Sequence, residues 1–406
     1  MACLYFFLLL ISPIFSAACY TSVFSFGDSL IDTGNYLHID DSAPTGRLPY
    51  GQTFFHRGTG RSCDGRVVLD FIAEALGIPF LSPYLAFSDA QQLRHGANFA
   101  VGGATALPAD FFKERKIDGV TPNVSFGDQI EWFSGLLPSL CSSPSDEAKT
   151  TGIPRKAEKR ESTRSSLSFE FLSSTRIQLW CMYIACRHFL RESLFLVGEI
   201  GGNDYAVPFS NGWKLEEIRT LVPQVVGIVT SAVDALIKHG ATTLVVPGVL
   251  PLGCFAAILT SGESSNKEDY EATTGCLKNW NEMLKYHNRL LKMELRRLRE
   301  MHPHATVIYS DYYNAAWQAF ASPQRFGALA FHPLLSLRLA RVRNPMLLGF
   351  DSWGLKREVC QHAVEVEAIT ITTPLLHVVH LPPECAEIRQ CIGTGMVVTR
   401  PKVDRD

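Results

Sequence analysis

The chain alternates between short apolar runs bounded by glycine and longer segments in which apolar residues recur at helical spacing. Five runs are predicted to be strands: VFSFGDS, ANFAVGG, ESLFLVGEIGGND, TTLVVPGV and ATVIYSD. Helices are predicted between them, in GRVVLDFIAEALG, GDQIEWFSGLL, LEEIRTLVPQVVGIVTSAVDALIKHG and CLKNWNEMLKYHNRLLKMELRRLREMH. Nearly continuous apolar strands that alternate with helices are typical of a parallel sheet covered by helices on both faces. The predicted class is therefore α/β.

Glycine and proline mark the predicted ends and bends of these helices. Gly77 is expected to end the first helix and Gly240 the third, since glycine is common just beyond a helix C-terminus. The third helix is expected to bend near Pro223, because proline removes a backbone donor and disturbs the preceding turn.

Two segments do not follow the alternation. From Glu147 to about His188 the chain is first basic and rich in Ser and Thr, which predicts a surface loop, and then apolar. From about residue 328 to Asp406 no regular rhythm of strands and helices is visible, although AITITTPLLHVVHL is compatible with a strand pair. The predicted organisation is one domain over residues 19–327, interrupted at about 147–188, and an atypical C-terminal tail over 328–406.

The N-terminal stretch MACLYFFLLLISPIFSAAC is apolar over about the length of a signal sequence and ends in small residues. We predict a secretory signal over about residues 1–18, with cleavage near Ser16-Ala17-Ala18. A membrane anchor is the alternative, which the short run and the break at Pro13 disfavour. The sequence therefore predicts a secreted, extracellular protein without a stable membrane anchor.

Cysteine usage agrees with an oxidising compartment. The chain has eleven cysteines, of which Cys3 and Cys19 lie in or beside the predicted signal, so nine remain and at least one is free or pairs abnormally. Cys254 and Cys276 bracket a polar loop and are expected to form a disulfide. The triplet at Asn123 is an N-glycosylation sequon. No cysteine or histidine cluster has the spacing of a zinc site, and neither a metal nor another cofactor is predicted.

Composition narrows the range of partners. Apolar residues make up 46% of the chain and charged residues 19%, so a sizeable core is expected. The formal net charge is only −2, which gives no electrostatic reason to expect binding to nucleic acid or to an anionic membrane. The oligomeric state is left open.

Three of the predicted strands end in residues that suit a hydrolytic site. Ser29 follows the first strand behind Gly27, where it is either a nucleophile or a helix N-cap. Gly102 and Gly103 follow the second strand, where glycine lets a backbone N–H approach a ligand, and Asn203 follows the third with a carboxamide donor. Since ligand sites of parallel sheets lie beyond the carboxyl ends of the strands, we expect these groups to meet at one edge.

The blocks FSFGDSLIDTGN, NFAVGGATA and GGNDY, with RSCDGRVVLDFIAEALGIPFLSPYL, VPGVLPLGC and SDYYNAAWQAFASPQRFG, resemble the plant GDSL esterase/lipase group of the SGNH hydrolases. The resemblance covers about Ser22 to Asp146 and Phe189 to Gly327. It implies a flavodoxin-like three-layer α/β sandwich with a mostly parallel sheet. It also implies hydrolysis of a small-molecule or lipid ester through an acyl-serine, without a metal.

The resemblance assigns a role to three residues. Ser29 occupies the nucleophile position, the Gly102 amide, in preference to that of Gly103, helps to form the oxyanion hole, and Asn203 is a further oxyanion donor. The ester itself is not implied, since members of this group act on substrates from acetylated small molecules to lipids and cell-wall polymers.

One block of the family is missing from the sequence. The family ends in an Asp-x-x-His motif that supplies the base and its orienting carboxylate, but none of the twelve histidines has aspartate three residues before it. His377 and His380 lie near the expected place, and Asp351 and His362 are present at another spacing. Without a base, only the advantage of about 10³–10⁴ over water from binding and the oxyanion hole remains, which predicts weak or no turnover.

Two alternatives to an active esterase stay open. The first is a degenerate, non-catalytic member that binds an ester or a glycan, or the product of an aberrant gene model, because the 147–188 segment is also foreign to the family. The second is a nucleotide-binding flavodoxin-like module, which is disfavoured because no phosphate-cradling glycine loop opens a helix.

Overall fold

The computed structural model describes residues 20–87, 90–142 and 186–322. The predicted signal over 1–18, nearly all of the segment at 147–188 and the tail over 328–406 lie outside the described residues. The tail contains Asp351 and the three candidate histidines, His362, His377 and His380. The domain boundaries drawn from the sequence therefore stay predictions.

A five-stranded, fully parallel sheet forms the centre of the described chain, in the order β2-β1-β3-β4-β5. The strands are β1 Ser22–Phe26, β2 Gly96–Asn98, β3 Ser193–Val197, β4 Thr243–Pro247 and β5 Thr306–Ser310. All five predicted strands are present. The second one is short: the ladder ends at Asn98, and residues 99–103 of the predicted strand run on as a loop.

Helices cover the sheet and connect its strands. They are α1 Asn35–Ile39, α2 Val68–Leu76, α3 Ala109–Glu114, α4 Phe126–Ser142, α5 Gly202–Ser210, α6 Leu215–Arg219, α7 Val222–His239, α8 Ala256–Ser261, α9 Lys278–Met301 and α10 Tyr312–Ala321. A further helical segment, 186–191, leads into β3. Sheet and helices make the three-layer α/β arrangement, and the strand order is that of flavodoxin-like folds, as predicted.

The structure confirms the two helix ends predicted from glycine and corrects the bend predicted from proline. Gly77 ends α2 in the left-handed conformation with φ +68°, and Gly240 ends α7. The predicted third helix is not one bent helix but two, α6 and α7, and Pro223 lies in the first turn of α7. Proline is favoured there because its missing N–H would have no helical partner.

The apolar core between the sheet and α4 is built from phenylalanine. Phe133 of α4 lies edge-on to Phe24 and Phe26 of β1, with ring centroids 5.3 and 5.8 Å apart. Phe26 also stacks on Phe99 at 5.1 Å. Edge-on and offset aromatic pairs are the favourable arrangements for rings, so α4 is fixed against the strand that leads to Ser29.

Among the described residues, one segment is long and apolar enough to cross a membrane by length and composition, Leu215–His239. It comprises α6 and α7, and over half of its apolar window is buried inside the protein. A core helix of a globular domain has the same properties, so the segment is weak support for a membrane span.

The described cysteines agree with the odd count. Cys254 and Cys276 form the expected disulfide, which closes a loop with a sequence separation of 22. Cys63 is a free, buried thiol. Burial raises the pKa of Cys63 to about 12.

Candidate active site at the carboxyl edge of the sheet

The order of the strands determines where a site is expected. The chain runs from β1 outward to β2 and then passes β1 again to reach β3, so the direction of strand addition reverses between β1 and β3. Crevices form beyond the carboxyl ends of parallel strands at such a reversal. Ser29 follows β1 by three residues, and Asn203 follows β3 as the second residue of α5.

Gly27 makes the turn that leads from β1 to Ser29. Its φ is +146°, and a Cβ placed on it would lie 2.8 Å from the carbonyl oxygen of Glu199, so a side chain does not fit. The next residue, Asp28, donates its N–H to that same carbonyl at 2.9 Å. Ser29 follows in the turn and is partly exposed, as a reacting serine must be.

The loop after β2 lies against this turn. Val101 donates its N–H to Gly27 O at 3.1 Å, and Gly102 donates its N–H to Asp32 Oδ2 at 2.8 Å. Gly103 has a φ of +82° and lies so close to Thr121 O that a Cβ would be 2.3 Å from that oxygen. The backbone therefore requires glycine at position 103. Of the two glycines, only Gly103 has an N–H without an acceptor among the described residues.

Asp32 holds the turn after β1, the helix α1 and the loop after β2 together. Its buried carboxylate accepts four backbone N–H groups: Gly34 and Asn35 at 2.7 Å on Oδ1, and Tyr36 at 3.0 Å and Gly102 at 2.8 Å on Oδ2. Burial raises the pKa of Asp32, and these four donors oppose the rise.

The loop after β3 contributes Asn203. This side chain is 7% exposed, and its Nδ2 donates one hydrogen to Ala104 O at 2.9 Å. Asp204 beside it accepts the N–H groups of Ala106 and Leu107, both at 2.8 Å. The start of α5 is thus fixed against the loop that carries the two glycines.

The three loops meet through direct hydrogen bonds. These are Val101 N–H to Gly27 O, Asp28 N–H to Glu199 O, and Asn203 Nδ2–H to Ala104 O. The strand ends that carry Ser29, Gly102, Gly103 and Asn203 therefore share one edge of the sheet. Their arrangement also shows that the N–H of Gly102, the preferred oxyanion donor in the sequence analysis, already has a carboxylate acceptor.

Buried carboxyl groups surround this edge. Burial raises the pKa of Asp28 to about 7, and the neighbouring carboxylates of Asp204 and Asp32 add to the rise. Burial also raises the pKa of Asp204 to about 7 and that of Glu199 well above its usual value. Glu199 accepts the N–H of Leu250 on Oε1, while its buried Oε2 has no partner among the described residues. Clusters of buried carboxyl groups with raised pKa values are typical of functional sites.

A histidine lies behind the Asn203 loop. His287 of α9 is buried, shares a 2.7 Å hydrogen bond between its Nδ1 and the hydroxyl of Tyr205, and packs against Gly201. Burial lowers the pKa of His287 to about 3. A ring that holds a proton so weakly is a poor general base near neutral pH, so His287 supports α5 rather than taking a proton from serine.

The polar residues that sequence reasoning did not single out include Asp32, Glu199 and Gln129, whose carboxamide pairs with the backbone of Gly27. Asp32 has a weak signal, since an aspartate shortly before a predicted helix is a common acceptor for the free N–H groups of the first turn. Gln129 and Glu199 have none, because their partners are backbone groups far away in the sequence.

The part of the chain that the structure describes contains no group of three or more His, Cys, Asp or Glu residues that could hold a metal ion.

Comparisons with known proteins identify the family of the chain. The family model of the GDSL-like lipase/acylhydrolases matches residues 23–333. A GDSL esterase/lipase of Arabidopsis thaliana is 42% identical over 311 residues, which cover 76% of this chain and 69% of the relative. The sinapine esterase of Brassica napus is 40% identical over 311 residues, or 76% and 70% of the two chains. The chain belongs to the GDSL-like lipase/acylhydrolase family, and this membership supports an ester hydrolase function.

Proposed function

We propose that this protein is a serine ester hydrolase in which Ser29 is the nucleophile. The Ser29 Oγ attacks the carbonyl carbon of the ester, the alcohol leaves with a proton, and an acyl-serine remains. Water then attacks the acyl group, which releases the acid and restores the serine. The observation that carries the proposal is the set of hydrogen bonds that joins the loops after β1, β2 and β3.

The oxyanion of each tetrahedral intermediate would be held by N–H donors. The backbone N–H of Ser29 and the second Nδ2 hydrogen of Asn203 have no acceptor among the described residues. Between the two glycines, Gly103 is now favoured over Gly102, because the Gly102 N–H is donated to Asp32. Preorganised donors of this kind lower the barrier by several kcal/mol, about 2.7–4 for one donor.

The proton of Ser29 needs an acceptor. No histidine of the chain has the family's spacing, and His377 and His380 of the tail, which lie outside the described residues, are the first candidates to test. Asp351 and His362 form the second candidate pair. The measured rate of ester hydrolysis distinguishes a site with a histidine base from a degenerate site. Without a base, hydrolysis is only about 10³–10⁴ times faster than the reaction in water.

Relatives suggest the substrate class. One relative is a sinapine esterase and others are esterases or lipases, so we propose a carboxylic ester as the substrate. The apolar N-terminal stretch supports secretion of the protein. Sinapine and short acyl p-nitrophenyl esters are the first substrates to test.

Hydrolysis by the full chain tests the proposal. We expect Ser29→Ala to lower kcat/KM to the background rate, whereas Ser42→Ala, which changes an exposed serine in the loop after α1, retains it. A fluorophosphonate should lose fluoride and modify the Ser29 Oγ, which mass spectrometry of the peptide detects. Hydrolysis that is equal in wild type and Ser29→Ala would remove Ser29 from the mechanism.

A further inference from the structure

The side chain of Gln129 forms a pair of hydrogen bonds with the N–H and C=O of Gly27, the first residue of the turn after β1. Gly27 donates its N–H to Gln129 Oε1 at 2.8 Å, and Gln129 Nε2 donates to Gly27 O at 2.8 Å. Gln129 is fully buried. The carboxamide therefore acts on Gly27 as a neighbouring strand would, accepting and donating at the same residue.

Gly27 needs such a partner because the backbone leaves the sheet there. The preceding carbonyl, Phe26 O, still pairs with the Gly198 N–H of the β3 side at 2.8 Å. The N–H of Gly27 has no acceptor other than Gln129 among the described residues. A buried N–H without an acceptor is costly, so the geometry of this turn depends on the glutamine.

Gln129 is held on a rigid element. It lies on α4 three residues after Phe126 and four before Phe133, so all three share one helix face. Both phenylalanines pack edge-on against Phe26 of β1, with centroids 6.4 and 5.8 Å away. The helix and the strand are thus locked together one residue before the turn.

The turn that Gln129 holds is the one that presents Ser29. Gly27 is fixed by Gln129 on one side, and Asp28 is fixed by the carbonyl of Glu199 on the other. We propose that Gln129 is a positioning residue for Ser29, which sets the direction of the backbone from which the reacting hydroxyl and its N–H project. This inference rests on the proposed function of Ser29.

The chain contains a matched pair of bonds elsewhere. Asn288 of α9 accepts the N–H of Val249 at 2.9 Å and donates to Val249 O at 3.0 Å, in the turn after β4. This second carboxamide also pairs with one residue just beyond a strand end, but the proposed mechanism does not use that turn. Removing the Asn288 pair therefore measures how much two such hydrogen bonds contribute to the stability of the fold, without an effect on the proposed mechanism.

The test compares Gln129→Met with Asn288→Leu in the full chain. Each substitution keeps the approximate volume and removes both hydrogen bonds. We expect both variants to melt at a lower temperature than wild type. For the folded fraction, we expect Gln129→Met to lower kcat by about 10–100-fold with KM changed little, because a displaced reacting atom affects chemistry more than binding. Asn288→Leu should leave kcat within about threefold of wild type. If Gln129→Met does not fold, Gln129→Glu, which retains an acceptor for the Gly27 N–H, replaces it.

Equal kcat values for the two variants would overturn the positioning role, while wild-type hydrolysis that does not depend on Ser29 would overturn the proposed function instead. Hydrogen exchange gives a readout without turnover. In Gln129→Met, faster exchange should be confined to peptides that contain Gly27 and Asp28. Unchanged exchange at Gly27 would overturn the inference even if no ester is hydrolysed.

Discussion

The pKa values of carboxyl groups are shifted in opposite directions at the two edges of the sheet. At the carboxyl edge, Asp28, Asp32, Glu199 and Asp204 are all buried, and burial raises the pKa of each. At the amino edge, where α7 ends before β4, hydrogen bonds and charge attraction from Lys238 and His302 lower the pKa of the partly exposed Asp234.

The difference lies in what surrounds the carboxyl groups. Among the described residues, no Lys, Arg or His forms an ion pair with the four buried groups, which instead accept hydrogen bonds from backbone N–H groups. Backbone donors fix the course of three loops, whereas ion pairs at the surface contribute little to stability. At the carboxyl edge, burial of the carboxyl groups costs free energy, but their hydrogen bonds define the geometry of three loops. This pattern is expected at a functional site.

The largest effect that separates the two edges is expected from Asp32→Ala. Four backbone N–H groups would lose their acceptor, and hydrogen bonds to charged groups contribute about 1.5–3 kcal/mol each. We expect a loss of at least about 4 kcal/mol in the free energy of unfolding, measured with urea.

Asp32→Asn is the control, because it keeps an oxygen for Gly34 and Asn35 and should be less damaging than the alanine variant. A change below about 1 kcal/mol for Asp32→Ala would contradict the importance given to this carboxylate.

An intermediate effect is expected in the dependence of stability on pH. The pKa of Asp28 is about 7 in the folded protein and 3.8 in the reference state, so between these values the folded state binds a proton that the unfolded state releases. This contribution to stability is fully present below about pH 4 and is lost as the pH rises through 7. We expect Asp28→Asn to flatten the decline of stability between pH 5 and 7 by up to about 1.4 kcal/mol per pH unit.

Thermal or urea unfolding across this pH range measures the slope. Asp41→Asn, which changes an exposed carboxyl after α1, should leave it as in wild type. Parallel curves for wild type and Asp28→Asn would show that Asp28 does not hold the proton. Glu199 and Asp204 would then be the next groups to replace.

The smallest effect is expected from Asp234→Asn at the amino edge. Its folded pKa is lowered, so its contribution is present above the unfolded pKa and is lost as the pH falls through the folded value. We expect a loss below about 1 kcal/mol near neutral pH, and a smaller loss at about 1 M salt, because exposed ion pairs are weak and screened. A loss as large as that of Asp32→Ala would remove the contrast between the edges.

Local patterns predicted much of the fold. Alternating apolar runs predicted all five strands, and Gly77 and Gly240 predicted two helix ends, since these features act within a few residues. The early end of β2 was not predicted. There the side chain of Asn35 donates to Asn98 O and Ala100 O, and Asn98 Nδ2 donates to Ile31 O, so side chains occupy these carbonyl groups. The N–H groups of Phe99 and Val101 still donate to β1 and to Gly27. Such contacts join residues more than sixty positions apart, which periodicity cannot reveal.

The location of the candidate site could be predicted from the sequence, but its hydrogen bonds could not. Ser29, the glycine pair and Asn203 end strands, so their common edge followed from the parallel sheet. The acceptor of the Gly102 N–H depends on where Asp32 points, and the support of Gly27 depends on a helix one hundred residues away. Both are consequences of tertiary packing.

Burial of Cys63, a free thiol among the described residues, also determines how this cysteine reacts. With a pKa of about 12, almost none of its sulfur is thiolate at neutral pH, and thiolate is the form that exchanges with disulfides. Cys63 is therefore a poor attacker of the Cys254–Cys276 bridge while the domain stays folded. Alkylating reagents would reach Cys63 mainly when the domain opens, so the rate at which Cys63 is alkylated reports how often the domain unfolds.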